Sequence, residues 1–273
     1  MSFNSRSVNL SWTPPPPSYD SPDLTLTSYV IQVRRGENSS WLDSKKVRTN
    51  STDTSHTVRH LRPFTVYSFK VGAEYDNMTS DESDESYYMI TLREVPSGTP
   101  TITVAHNISS TAIYLAWEPP HTLTINGEFL GYKLSYESRS SNRSGKFSRT
   151  IKNPTIREFI LRDLNIFTQY SISLQVINPE GAGPATKVVV TTDEGVPSSP
   201  MYATVHTVTN VSAVVDWSRP SNPNGVIEGY RLYFLHGNYT DVKTIKSRDP
   251  RVDYTLTHLG KEAWENYSNS LVK

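Results

Sequence analysis

The chain has no cysteine, which excludes a disulfide framework, a thiolate metal site and a cysteine nucleophile. It leaves the redox compartment open, because a domain with an adequate core needs no disulfide. Neither sign of charge is in excess, with 27 Lys+Arg against 27 Asp+Glu, so no nucleic-acid footprint or polybasic membrane surface is expected. Long apolar runs are missing too. Val188-Val189-Val190 is far short of the ~20 residues that span a bilayer. Met1-Ser2-Phe3-Asn4-Ser5-Arg6 has no apolar stretch of the kind a signal peptide needs, and any leader or anchor is expected outside this stretch. Glycine is sparse, 13 in 273 residues. No Gly-rich phosphate loop precedes a helix, no Gly-x-Ser-x-Gly elbow occurs, and no long amphipathic helix is evident. The seven histidines are scattered. Only His56 and His60 lie close together, short of the three or four converging ligands a zinc site needs. No cofactor and no catalytic constellation is expected.

What the chain does have is Ser, Thr, Tyr and Val in quantity, a composition suited to strands, and a tryptophan motif repeated three times. Trp12-Thr13-Pro14-Pro15, Trp117-Glu118-Pro119-Pro120 and Trp217-Ser218-Arg219-Pro220 lie 105 and 100 residues apart. That period is too long for a solenoid unit and fits whole domains in tandem. Each Trp closes a short alternating run, as in Val8, Leu10 and Trp12, the pattern of a half-buried strand. A proline-bearing loop follows each one. Pro14–Pro17 can also be read as a polyproline ligand, but its counterparts make an inter-strand loop the better reading. Tyrosine-led alternating strands come next, at Tyr29–Val33, Tyr132–Tyr136 and Tyr230–Phe234.

The second half of each repeat has its own signature. Leu61 and Tyr67 in the first, and Leu164 and Tyr170 in the second, are six residues apart. A tyrosine opening a strand after a sharp corner is placed to bond its hydroxyl to nearby backbone. Strands Ser68–Val71 and Ile172–Val176 are expected next, then last strands over Tyr87–Leu92 and Lys187–Thr191. Between the latter pair, Asn178-Pro179-Glu180-Gly181-Ala182-Gly183 reads as a hairpin loop. Strand position aligns His56 with Phe159 and Tyr254 and points it inward, while His60 points out.

Seven short strands, an early Trp, a late corner Tyr and no Cys resemble the fibronectin type III domain. The resemblance covers nearly the whole chain. It implies an all-β array of tandem, immunoglobulin-like sandwiches occupying 1-94, 98-193 and 198-273, with the first and last incomplete. Linkers Val95–Pro100 and Val196–Pro200 look like the proline joints of such arrays and are expected to be semi-rigid. Trp12, Trp117, Trp217, Tyr67, Tyr170, Leu61, Leu164 and Leu259 are the expected core markers. The first strand of repeat one is expected to be shortened or missing. In repeat three, Tyr267-Ser268-Asn269-Ser270-Leu271 imitates Tyr170–Leu174, but Leu259 to Tyr267 spans eight residues and Asn269 stands where repeat two has Ile172. A third domain without its last strand, exposing an edge and part of its core, is the expectation.

Nine Asn-x-Ser/Thr sequons occur, at Asn9, Asn38, Asn50, Asn77, Asn107, Asn142, Asn210, Asn238 and Asn266, where composition alone gives about four. Most fall in expected loops or strand ends, where a glycan is tolerated. They point to a secreted parent. Asp76, Asp81, Glu82, Asp84 and Glu85 crowd the last hairpin of repeat one and are expected in a solvated loop, since the ligand spacing of an EF-hand is absent. Arg34-Arg35 and Lys45-Lys46-x-Arg48 read either as a basic strip for acidic glycans or proteins, or as charges that guard an edge strand. Arg35-Gly36-Glu37 is not an integrin motif, and no Trp-Ser-x-Trp-Ser box occurs.

The chain looks similar to the arrays of receptor-type tyrosine phosphatases, neuronal adhesion molecules and some receptor kinases, and this resemblance implies a non-enzymatic extracellular spacer with a protein or cell-surface partner. Three domains end to end are expected to make a rod roughly 100 Å long, at ~3.3 Å of rise per strand residue. Two alternatives remain: an intracellular structural array like those of muscle filaments, and a spacer module of a secreted glycosidase.

Overall fold

A computed structural model describes residues 4–16, 25–76, 78–139, 145–209, 211–236 and 239–259. The elements run β1 (Ser7–Ser11), β2 (Leu26–Arg35), β3 (Lys45–Arg48), β4 (Ser55–Arg59), β5 (Val66–Tyr75), β6 (Met78–Thr79) and β7 (Met89–Ile90) in the first repeat. The second has β8 (Thr101–Ser109), β9 (Ala112–Glu118), β10 (Gly131–Ser138), β11 (Phe147–Ile151), β12 (Glu158–Leu161), β13 (Gln169–Asn178), β14 (Gly181–Ala182) and β15 (Thr186–Thr191). The third has β16 (Met201–Val208), β17 (Ser212–Ser218), β18 (Tyr230–His236), β19 (Tyr239–Ile245) and β20 (Arg251–Thr257). All the described pairings are antiparallel.

Repeat two shows the plan in full. Sheet β12-β9-β8 faces sheet β11-β10-β13-β15, with the two-residue β14 added to β13. Alternation drives the burial: Tyr170, Ile172, Leu174 and Val176 on β13 all point inward, because successive side chains of a strand take opposite faces. They meet Ile113, Leu115 and Trp117 from β9 and Tyr132 and Leu134 from β10. The other repeats form separate cores around Val8, Leu10, Ile31 and Phe69, and around Val215, Trp217, Leu232 and Val252. Of the expected markers, all are buried except Trp12, which is half-buried.

Both sequence constellations recur as geometry. Trp12 meets Tyr29, Trp117 meets Tyr132 and Trp217 meets Tyr230 edge-on, at centroid distances of 5.0, 5.2 and 5.4 Å and the same 68° interplanar angle. At the corner, His60, Asp163 and His258 take positive φ of 62°, 60° and 63°, turning the chain so that Leu61, Leu164 and Leu259 enter the core. The Tyr67 hydroxyl then accepts from the Arg62 N–H, and the Tyr170 hydroxyl from the Asn165 N–H, both at 2.9 Å. Thr91 and Thr192 close the same corner, donating to the carbonyls of Arg62 and Asn165 at 2.6 and 2.8 Å. His56 is half-buried opposite Leu10, as Phe159 is opposite Leu115 and Tyr254 opposite Val215.

The end of repeat one differs from expectation. A last strand over Tyr87–Leu92 is reduced to Met89–Ile90, paired with Val66 and Tyr67. Upstream of it, Ser80-Asp81-Glu82-Ser83-Asp84-Glu85-Ser86 runs along β5 by another rule. The N–H groups of Ser80, Ser83 and Ser86 donate to the carbonyls of Ala73, Val71 and Phe69 at 2.8, 2.8 and 2.9 Å. Their hydroxyls accept from the N–H groups of the same three residues at 2.9, 3.0 and 2.9 Å. The serine side chain does the work of a strand carbonyl, so three residues of the segment match two of β5. This edge pairs completely, yet it has no period-two pattern to read.

At the other end of repeat one, β1 pairs only with β4 among the described residues. The Asn4 side chain turns the chain into β1, accepting from the Arg6 and Ser7 N–H groups at 2.8 and 2.7 Å. In repeat three the described residues give sheet β16-β17-β20 and hairpin β18-β19. Tyr267–Leu271 lies outside the described residues.

The corner bond gives a direct test. Tyr170→Phe leaves the Asn165 N–H without its partner and should cost about 1–3 kcal/mol of stability, measured by urea unfolding. An unchanged midpoint would remove the corner from the account.

Candidate functional site: the joints, one sheet face and the sequons

Both linkers are held by the loop of the domain that follows them. Asn126 and Asn224 occupy the left-handed region, at φ 57° and 51°, which asparagine tolerates better than most residues. That conformation aims each side chain back at the linker. Asn126 Nδ2 donates to the Val95 carbonyl at 3.0 Å, and Asn224 Nδ2 to the Val196 carbonyl at 2.8 Å. Backbone bonds bracket each clamp in the same order. Glu94 and Gly195 donate to the carbonyls of Asn126 and Asn224 at 3.1 and 2.7 Å, while Ser97 and Ser198 donate to those of Thr124 and Asn222 at 2.8 and 2.9 Å.

The first joint is reinforced. Asn178 Nδ2 donates to the Glu94 and Ile125 carbonyls at 2.6 and 2.9 Å, and a Cβ on Gly127 would stand 2.8 Å from that nitrogen. Only glycine fits beside the clamp. Arg6 and Ser5 of repeat one bond the Glu94 carboxylate, both at 2.6 Å. The hydrogen bond from Arg6 holds that carboxyl below its ordinary value, against the opposing effect of burial. Arg93 pairs with Glu128 at 2.6 Å and lies over the Phe64 ring. Exposed pairs of this kind contribute little individually, so the joint depends on its backbone and asparagine bonds.

The outer face of repeat one resolves the charged residues. Arg34 is buried, with its guanidinium between the rings of Trp41 and Tyr88, centroid distances 4.7 and 5.6 Å. It pairs with Glu85 and donates to Ser68 Oγ at 3.1 Å. Lys70 also lies over the Trp41 ring, 5.0 Å from its centroid, and 3.7 Å from Glu82. Gln32 also bonds Glu82. The serine ladder thus lays Glu82 and Glu85 across a cationic and aromatic stack; they stay exposed, as Asp81 and Asp84 do, but on a segment paired along β5 in place of the loop expected. Arg34 leaves the basic strip for this stack, and Arg48 pairs with Glu74 at 2.7 Å. Arg35, Lys45 and Lys46 stay unpaired among the described residues. Sequence reasoning missed the ladder because Ser-x-x-Ser matches neither strand nor helix period.

Of the sequons, Asn9, Asn38 and Asn50 are exposed. Asn107 is half-buried and its amide donates to Asp193. Asn77, Asn142, Asn210, Asn238 and Asn266 lie outside the described residues. Among the described residues, no cluster of three His, Asp or Glu is placed to hold a metal, and no helix is long and apolar enough to cross a membrane.

The clamp predicts a measurable stiffness. Asn126→Gly keeps the left-handed backbone and deletes the side-chain bond. Spin labels on β5 and β13 should then report a broader distance distribution at an unchanged melting temperature. An unaltered distribution would show that the proline linker alone sets the angle.

Known proteins are similar to this chain in sequence and in fold. The fibronectin type III profile matches residues 1–88 and 98–192. The receptor-type tyrosine-protein phosphatase mosPTP-1 of Aedes aegypti is 44% identical over 265 residues, 95% of this chain and 20% of that protein. The cell adhesion molecule Dscam1 of Drosophila melanogaster is 33% identical over 96% of this chain and 13% of its own length. Mouse sidekick-2 is 32% identical over 84% of this chain. The chain therefore spans a fifth or less of the first two of these relatives. The FN1–FN3 fragment of chicken CNTN1 superimposes with a TM-score of 0.55 at 18% identity, covering 95% of this chain and 86% of that one, a likeness of fold. With the tandem profile match, the repeated Trp–Tyr packing and the paired tyrosine corners, this chain belongs to the fibronectin type III family.

Proposed function

We propose that this chain is a non-catalytic, extracellular spacer and protein-binding stretch of a cell-surface receptor or adhesion protein, with a receptor-type tyrosine phosphatase as its parent. The observation that carries the reading is the 44% identity over 95% of the chain to a protein of that class, confined to 20% of the relative. Any phosphatase activity would belong to other parts of such a parent. The clamps at the two linkers, which repeat the same bonds, support a division into domains at 1-94, 98-193 and 198-273. A repeated joint geometry suits a spacer, because it fixes the direction from one domain to the next. A protein ligand or cell-surface partner would be met on loops and sheet edges, where function concentrates on rigid scaffolds. The fold by itself selects no partner.

Glycosylation tests the extracellular part of this reading. The chain, supplied with a signal peptide and flanking strands, would be secreted from a eukaryotic host and weighed before and after glycan removal. Occupancy is expected at the exposed Asn9, Asn38 and Asn50, and lower at Asn107, whose amide is engaged with Asp193. A folded product bare at every sequon would contradict the reading and favour an intracellular array.

A further inference from the structure

Repeat two serves as an internal control for repeat one, and one difference between them lies beside a cavity. In repeat two, Tyr136 on β10 lies opposite Phe147 on β11. The two rings stack at 5.4 Å, and Tyr136 packs edge-on against Tyr170. This aromatic pair lies at the corner end of the sandwich, beside Tyr170. The matching pair in repeat one is Val33 on β2 opposite Lys45 on β3, with the corner residue Tyr67 in the place of Tyr170. Two rings are replaced by a branched aliphatic and a cation. The next position along, where Ser138 pairs with Tyr170 in repeat two, is Arg35 paired with Tyr67 in repeat one.

Register fixes which way these side chains face. Val33 and Tyr67 are core residues, so their cross-strand partners Lys45 and Arg35 lie on the inner face of the sheet. Beside Val33 and Lys45 lies a cavity of about 340 Å³, at the lower end of the range of ligand pockets, about 300–1,000 Å³. Val33, Val58, Leu61 and Tyr67 form its floor. Arg35, Lys45, His60 and Arg62 line it as well, with Asp43 the carboxylate among the lining residues. None of Arg35, Lys45 and Arg62 forms an ion pair with another described residue. Three unpaired cations against one carboxylate make an anion-attracting rim over an apolar floor.

We propose that this cavity is a docking site for a partner-protein peptide that inserts an aromatic side chain bearing, or flanked by, negative charge. The aromatic part follows from the internal comparison: the inserted ring would take the place that Tyr136 and Phe147 fill in repeat two. The anionic part follows from the rim. A sulfated polysaccharide fits less well, because it has charge for the rim but no aromatic ring for the floor. This site deepens the proposed function and rests on the protein-binding part of it.

The test uses the full chain and a short synthetic peptide in three forms, presenting tyrosine O-sulfate, tyrosine or alanine between aspartates. Binding is followed by calorimetry and by methyl NMR of Val33 and Leu61. Single-site binding is expected for the tyrosine forms, with the alanine form weaker by about tenfold or more, an affinity difference of roughly 1.4 kcal/mol. The relative strength of the sulfated and plain forms shows whether the charge sits on the ring or beside it. Val33→Tyr with Lys45→Phe grafts the aromatic pair of repeat two onto repeat one and should abolish binding. If that variant fails to fold, Arg35→Ala with Lys45→Ala must still weaken binding, and more so at low salt.

Absence of binding by every form would overturn the proposal, as would equal binding of the alanine form, binding by the grafted variant, or displacement by a heparin oligosaccharide. A glycosylated chain that binds no peptide would leave the receptor reading standing and remove only this site.

Discussion

One tryptophan driven edge-on against one tyrosine holds the two sheets of each repeat together. Trp117 arrives from β9 in one sheet and Tyr132 from β10 in the other, and both are buried to about one percent exposure or less. The same pair, at the same 68° angle, is found in all three repeats. Edge-to-face rings of this kind add about 0.5–1.5 kcal/mol beyond the area they bury. Their larger consequence is positional. Once the rings are set, β9 and β10 have a fixed separation, their alternating partners turn inward, and the rest of each core follows from strand periodicity.

The corner tyrosines and the asparagine clamps extend this order in two directions. Within a repeat, Tyr67 and Tyr170 tie the turn between sheets to the strand it leads into. Between repeats, Asn126 and Asn224 tie each linker to the next domain's loop. Both devices satisfy backbone groups that a turn or linker would otherwise leave to water, with one side chain in a fixed conformation. Repeat one departs from the pattern at its exposed margins, in the serine ladder along β5 and in the cavity beside Lys45. Its core pair is unchanged. Variation at the rim over an invariant centre is how a spacer domain can acquire a binding surface without losing its fold.

The sequence made the centre legible and left much of the rim hidden. Trp12, Trp117 and Trp217 stand out because their spacing repeats, and Leu61–Tyr67 and Leu164–Tyr170 because one interval serves both corners. Arg34 could not be recognised as buried, since the rings that flank it, Trp41 and Tyr88, come from separate segments. Glu82 and Glu85 read as loop acids because a three-residue repeat matches no standard element. The clamp at Asn126 is hidden because its partner, the Val95 carbonyl, lies across a linker that sequence periodicity does not reach. The cavity is visible only when Val33 and Lys45 are set beside Tyr136 and Phe147, a comparison that requires the strand register.

If the Trp–Tyr pair is the constraint on which each repeat depends, its loss should be felt by one repeat as a whole and by no other. Trp117→Ala removes about 3–5 kcal/mol from its core. Hydrogen exchange on that variant, read amide by amide, tests the claim most directly. The account predicts that protection falls together across β9, β10, β13 and β15 while β2 and β5 keep theirs. Loss confined to the neighbours of residue 117, or spread equally into β2 and β5, would contradict it.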